Sequence, residues 1–68
     1  MILEKVGKRI KTLRNEKKLS QEKLAFKADI DRTYLAGAEQ GKRNISLKSL
    51  EKIVTALDCS FEEFFEGI

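Results

Sequence analysis

Leu3, Val6, Ile10 and Leu13 recur at steps of three and four residues, the stripe of an amphipathic helix, and no long two-residue alternation follows anywhere in the chain. This stripe predicts a first helix ending near Lys17–Lys18. Gly7 inside it costs about 1 kcal/mol relative to alanine and so marks a close packing contact. The rest of the chain repeats one device four times: a capping residue with an apolar residue just before it and another four positions after it. Leu19, Ser20 and Leu24 form it, as do Ile30, Asp31 and Leu35, then Ile45, Ser46 and Leu50, then Cys59, Ser60 and Phe64 with Glu63 completing a capping box. The capping oxygen accepts from an orphan amide of the first turn, while the apolar pair sets the angle at which the chain enters. Four helix starts follow. The second helix is predicted from Gln21 to about Ala28, and the third from Arg32 to about Gln40, closed by Gly41. The fourth is predicted from Leu47 to Leu57 with Leu47, Leu50, Ile53, Val54 and Leu57 inward, and the fifth from Phe61 to about Glu66. The expectation is an all-α fold of five short helices around one small core.

At 68 residues and 7.8 kDa the chain is one domain, 1–68, near the lower size at which a core holds without disulfides. It has no proline, linker or repeat, no apolar run long enough to span a membrane and no apolar leader behind a basic start. A cytoplasmic protein with no membrane partner is expected. Histidine is absent and Cys59 is the single cysteine. An internal disulfide is thereby excluded, a zinc site lacks ligands, and the usual general base at neutral pH is missing. These absences argue against an enzyme and against a metal or other cofactor. Cys59 reads as a small apolar residue near a turn. The net charge of +3 conceals an asymmetry: Met1–Arg43 carries twelve basic and six acidic residues, whereas Asn44–Ile68 carries two and five. A basic part of that size suits a polyanion, although a charge bias alone is equally compatible with a solvated helical surface.

The second and third helices are separated only by Asp29, Ile30 and Asp31. Two short helices joined so tightly, with small Ala25 at the crossing and Ile30 in the turn, describe a helix-turn-helix over about residues 20–40. In that motif the second helix enters the major groove and the first crosses the backbone. The run LSQEKLAFKADIDRTYLAGAEQGKRN resembles the phage repressor and Cro-like helix-turn-helix family, and the similarity continues through SLKSLEKIVTALDCSFEEFF. Within that family, DRTY followed by LAGAEQGKRN looks most like the controller proteins of restriction–modification systems. The resemblance implies a compact lambda-repressor-like domain, with residues 46–66 contributing core and dimerisation. It further implies a dimeric regulator on operator DNA, arranged in tandem for the controllers. Two departures stand out. Ala38 replaces a large aliphatic residue, leaving space for Leu35 or Phe26 to fill. Ala36–Gly37 replaces a polar side chain, offering a smooth surface for close approach or contact with a thymine methyl.

Arg32 and Thr33 open the third helix and are the expected base readers, Arg for a guanine edge and Thr for a base or a thymine methyl. Tyr34 has two readings, one against a thymine or phosphate and one packed on the domain surface. Ala36 joins the base-facing set. Asp31 is first a helix cap. Ser20 and Gln21 lie at the amino end of the second helix, where free amides favour a phosphate. The resemblance makes Gln21 a backbone clamp, with Gln40 on the far side. Lys42, Arg43 and Asn44 form a basic loop over the sugar-phosphate edge, and relatives use the position of Arg43 for phosphate or a minor-groove base. The resemblance also pairs Arg14 with Glu39 in a buried salt bridge. Lys8, Arg9, Lys11, Lys17, Lys18, Lys23 and Lys27 read as solvated or steering charges.

Phe61, Phe64, Phe65 and Ile68 crowd the last eight positions, more apolar bulk than one short helix buries against a small core, and are the candidate dimer interface. The other arrangement completes the core with Phe61 and Phe65 and leaves Phe64 and Ile68 spare. A two-fold dimer through this end sets two recognition helices about one DNA turn apart and requires a pseudo-palindromic operator. The chain accordingly reads as a sequence-specific transcriptional regulator acting as a homodimer on double-stranded operator DNA, without a small-molecule effector. An antitoxin-like or adaptor module whose partner is a protein is the alternative from another class.

Overall fold

The structure, a computed structural model, describes residues 1–68. Five helices follow one another: α1 (Ile2–Glu16), α2 (Gln21–Ala28), α3 (Arg32–Glu39), α4 (Leu47–Ala56) and α5 (Phe61–Glu66). The four expected caps are present as hydrogen bonds. Ser20 Oγ accepts from Lys23 N at 3.0 Å, Asp31 Oδ1 from Thr33 N at 3.1 Å, and Ser46 Oγ from Ser49 N at 3.0 Å. At α5 the capping box is closed in both directions, with Ser60 N donating to Glu63 Oε1 and Glu63 N to Ser60 Oγ.

The carboxyl ends obey an equally regular rule. Lys18, Asp29, Gly41 and Asp58 each take a left-handed backbone after α1, α2, α3 and α4. The next amide then reaches back to the last turn, as Leu19 N does to Arg14 O, Ile30 N to Ala25 O, Lys42 N to Gly37 O and Cys59 N to Val54 O. These are Schellman closures, and they satisfy carbonyls that a helix end leaves bare. In three of the four, the apolar residue that follows is also the one that staples the next helix. Lys18–Leu19–Ser20, Asp29–Ile30–Asp31 and Asp58–Cys59–Ser60 are one connector used three times: stop, apolar anchor, cap. Leu19, Ile30 and Cys59 all pack against the core, so each connector holds its turn to the body of the fold.

The core comprises Val6, Ile10, Leu24, Ala25, Ala28, Leu35, Ala38, Leu50, Ile53, Val54, Ala56, Leu57 and Phe64. α1 packs on α3, α2 on both α3 and α4, and α5 on α4. Gly7 is where α1 crosses α3: a Cβ there would run into Ala38 O and stand 2.7 Å from Glu39 O. Ala38 is fully buried, and no hollow in the surface is lined by it.

Three expectations need correction. Phe26 does not fill space beside Ala38; it is 85% exposed on the outer face of α2. Leu47 is 80% exposed, because it opens α4 one turn before Leu50 and stands beyond the edge of the core. Phe64 is fully buried. It is the staple partner of Cys59, and that local device turns it inward and its neighbours outward, so it is not available to a second subunit.

Candidate nucleic-acid interface

The amino end of α3 is presented to solvent with Asp31 spent as its cap, leaving Arg32 and Thr33 exposed in the first turn. Tyr34 is half-buried, and the exposed Arg43 lies above it, with Cζ 5.3 Å from the ring centroid. Ala36 is half-buried, while Gln40, Lys42 and Asn44 are exposed around the loop that leaves the helix. Ser20 is exposed and Gln21 half-buried at the start of α2.

Behind this surface lies a buried polar network. Arg14 donates through Nε to Glu39 Oε2 at 2.7 Å and through Nη2 to Glu39 Oε1 at 3.1 Å. Its remaining arm, Nη1, donates to Leu19 O at 2.8 Å, and Gln21 Nε2 donates to Glu39 Oε1 at 3.0 Å. No buried side-chain nitrogen or oxygen lacks a partner. One carboxylate therefore ties α1, the α1–α2 turn and the start of α2 to the end of α3. Paired and fully hydrogen-bonded, such a network fixes geometry more than it adds stability. Gln21 spends one amide hydrogen on Glu39 and keeps its carbonyl and second hydrogen.

Arg9 was legible in the sequence only as one charge among many, but it has a defined partner. Its Nε donates to Phe64 O at 2.7 Å and its Nη2 to Glu63 O at 2.9 Å, so a cation from α1 caps the negative end of α5. The one available signal was the lack of any basic residue in the last turn of α5. That helix leaves Phe61, Phe65 and Ile68 exposed to 39%, 43% and 43%. The rings of Phe61 and Phe65 are stacked 6.4 Å apart, and Phe65 meets the buried Phe64 edge-on at 5.1 Å. At the turn before α5, burial pushes the Cys59 thiol up and Glu63 adds to the effect. The Glu63 carboxyl is held below its ordinary range first by its hydrogen bond from the Ser60 backbone.

No group of three or more histidine, cysteine, aspartate or glutamate side chains comes together as metal ligands, and no helix is long and apolar enough to cross a membrane. What the chain does present is a pair of short helices locked at a fixed angle, the second displaying its first turn beside a basic loop. Fold and surface together define a helix-turn-helix domain of the DNA-binding kind.

Comparison with known proteins leads to the same class. A family model described as helix-turn-helix matches residues 10–64. Control protein C.MunI of a Mycoplasma species is 49% identical over 63 residues, which cover 91% of this chain and 85% of that protein. The solved structure of restriction–modification controller C.AhdI from Aeromonas hydrophila superposes with a TM-score of 0.89 at 49% identity, covering 93% of this chain and 96% of that one. The controller C.Esp1396I, solved as a tetramer in complex with its natural 35 base-pair operator, gives a TM-score of 0.92 at 47% identity over 97% of this chain and 87% of its own. The chain belongs to the helix-turn-helix family of phage repressor and Cro-like proteins, and within that family it is similar to restriction–modification controllers.

Proposed function

We propose that this chain is a sequence-specific DNA-binding transcriptional regulator that acts as a homodimer on pseudo-palindromic operator DNA, as the controller of a restriction–modification system that also regulates its own promoter. The observation that carries the reading is the exposed first turn of α3, capped by Asp31 and held against α1 and α2 by the Arg14–Glu39–Gln21 network. Arg32, Thr33 and Tyr34 read bases from that turn, Ala36 allows close approach, and Arg43 adds a guanidinium from the loop. C.Esp1396I has also been solved as variants at an arginine, a threonine and a tyrosine in three consecutive positions. This chain carries the same order at Arg32–Tyr34. Ser20, Gln21, Gln40, Lys42 and Asn44 contact phosphates and set the register.

The dimer forms through Phe61, Phe65 and Ile68 on α5, and its two-fold axis sets the recognition helices about one DNA turn, or about 34 Å, apart. The acidic half of the chain then lies away from the DNA and the basic half against it. Tandem operators carry two dimers, the number of chains that a tetramer on one operator contains. The protein works by occupancy in the cytoplasm rather than by catalysis, which agrees with a chain that has no histidine to serve as a base. The comparisons do not favour the protein-binding alternative.

Selection of bound duplexes from a random pool, at low and at high salt, tests this function. An enriched site of two related half-sites about one turn apart is expected, with affinity falling steeply as salt rises. Weak, salt-sensitive retention without any enriched sequence would overturn it.

A further inference from the structure

Gly37 lies in the last turn of α3 with a helical backbone, where no left-handed conformation calls for glycine and where glycine weakens a helix relative to alanine. The space of its missing side chain is taken by Arg43. A Cβ on residue 37 would stand 2.8 Å from Arg43 Cγ and 3.4 Å from its Nε. Farther along, the same side chain brings Cζ to 5.3 Å from the Tyr34 ring centroid. Residues 33, 34 and 37 are neighbours on a helix surface. Arg43, which belongs to the loop, therefore lies across the helix with its stem over Gly37 and its guanidinium over Tyr34.

We infer that Gly37 is a specificity-determining position: its bare backbone seats Arg43 on the recognition helix, so that a guanidinium supplied by the loop takes the place in the groove of a side chain at residue 37. The inference deepens the DNA-binding reading and rests on it. A free loop arginine is ordered only when DNA arrives and loses its rotamer freedom then. Seated between a backbone and a ring, this one is ordered beforehand. Its planar fork stays available for a guanine edge while its face stays on the tyrosine. Gly37 touches no base itself; it is a positioning residue that acts through Arg43.

The seat is measurable without DNA, because Tyr34 is the only tyrosine and the chain has no tryptophan. In the free wild-type protein, the Arg43 side-chain protons should be shifted upfield by the Tyr34 ring. Gly37→Ala and Tyr34→Ala should each return them to ordinary values. On the duplex selected by the wild-type protein, Gly37→Ala should bind about ten-fold more weakly, within the discrimination a good bidentate base contact provides. On a scrambled duplex the change should be less than two-fold, because the charge is retained. Its thermal midpoint should not fall, since alanine is the better helix former. Arg43→Ala should lose about as much on the selected duplex, and adding Gly37→Ala to it should cost less than two-fold more; that double variant, free of the clash, also reports whether alanine at 37 folds. Three results overturn the inference while leaving the DNA-binding reading intact: full affinity in Gly37→Ala, equal losses on both duplexes, or additive losses in the double variant. If no duplex is selected at all, the reading and the inference fall together.

Discussion

Replacing Glu39 by alanine is expected to destabilise the domain by about 3–5 kcal/mol, the cost of breaking a buried ion pair on one side. Glu39 accepts from Arg14 Nε at 2.7 Å, from Arg14 Nη2 at 3.1 Å and from Gln21 Nε2 at 3.0 Å. Removing it leaves a buried guanidinium with only its bond to Leu19 O and strands an amide beside it. At about 0.05–0.15 kcal/mol per residue, a chain of 68 residues is held by only about 3–10 kcal/mol, so most of its stability is at stake. Removing both charges together, as Arg14→Met with Glu39→Leu, strands no charge and leaves only the part-buried Gln21 amide and Leu19 carbonyl without their partners, so it should recover most of the stability lost in the single variant. Urea unfolding followed by far-ultraviolet circular dichroism measures both, the midpoint giving the stability and the slope checking that the denatured state is unchanged. A loss below about 1 kcal/mol for Glu39→Ala, the scale of an exposed pair, would refute the reasoning. A double variant as unstable as the single one would show that packing, not the stranded charge, sets the cost.

The aromatic end should divide by burial. Phe64→Ala removes a fully buried ring and should cost about 3–5 kcal/mol, whereas Phe65→Glu should keep its helices yet sediment as a monomer and bind operator poorly; a Phe65→Glu protein that stays dimeric would rule out the α5 interface. Arg32→Ala should relax preference at one base pair by about 1–3 kcal/mol, while Gln21→Ala should weaken all duplexes alike, as parallel binding to the selected and mismatched sites will show. The Glu63 carboxyl has a lowered pKa, chiefly through the hydrogen bond from the Ser60 backbone, so its contribution is present above the ordinary carboxylate range and is lost as pH falls through the depressed value. Acid titration of α5 order should therefore show wild type better ordered than Glu63→Gln near neutral pH and converging on it as pH falls below the ordinary carboxylate range, with Glu63→Gln lacking the acid-sensitive part.

Much of the fold is written in short stretches of chain. A serine or aspartate caps amides within three residues of itself, and its flanking apolar pair spans only five positions, so chemistry local to each stretch decides where a helix begins. That is why the starts of α2, α3, α4 and α5 are legible without any tertiary information, and why the two helices of the motif could be joined correctly. Left-handed stops at Lys18, Asp29 and Asp58 were not legible in the same way, since only Gly41 declares that conformation by its residue type. The same limit applies at the recognition turn. The sequence places Arg32 and Thr33 in the exposed first turn of α3, but nothing in it seats Arg43 on Tyr34.

What remained depends on how helices dock. α5 offers Phe61, Phe64 and Phe65 within a turn and a half, and composition cannot choose among them. The choice is made where the Cys59 staple and the Arg9 cap fix the helix rotation, one from the chain just before it and the other from α1, more than fifty residues away in sequence. Phe26 and Leu47 fit a helical stripe as well as their buried neighbours do, but periodicity gives a direction around the helix and not the extent of the core along it. Gly7 and Gly37 are two glycines inside helices with opposite partners, a crossing backbone in one case and a loop arginine in the other. Local chemistry determined where each helix starts and which residues the motif displays. Tertiary structure alone decided which apolar residues are spent inside and which charges are held in place, because those depend on the distance between elements that the chain brings together only on folding.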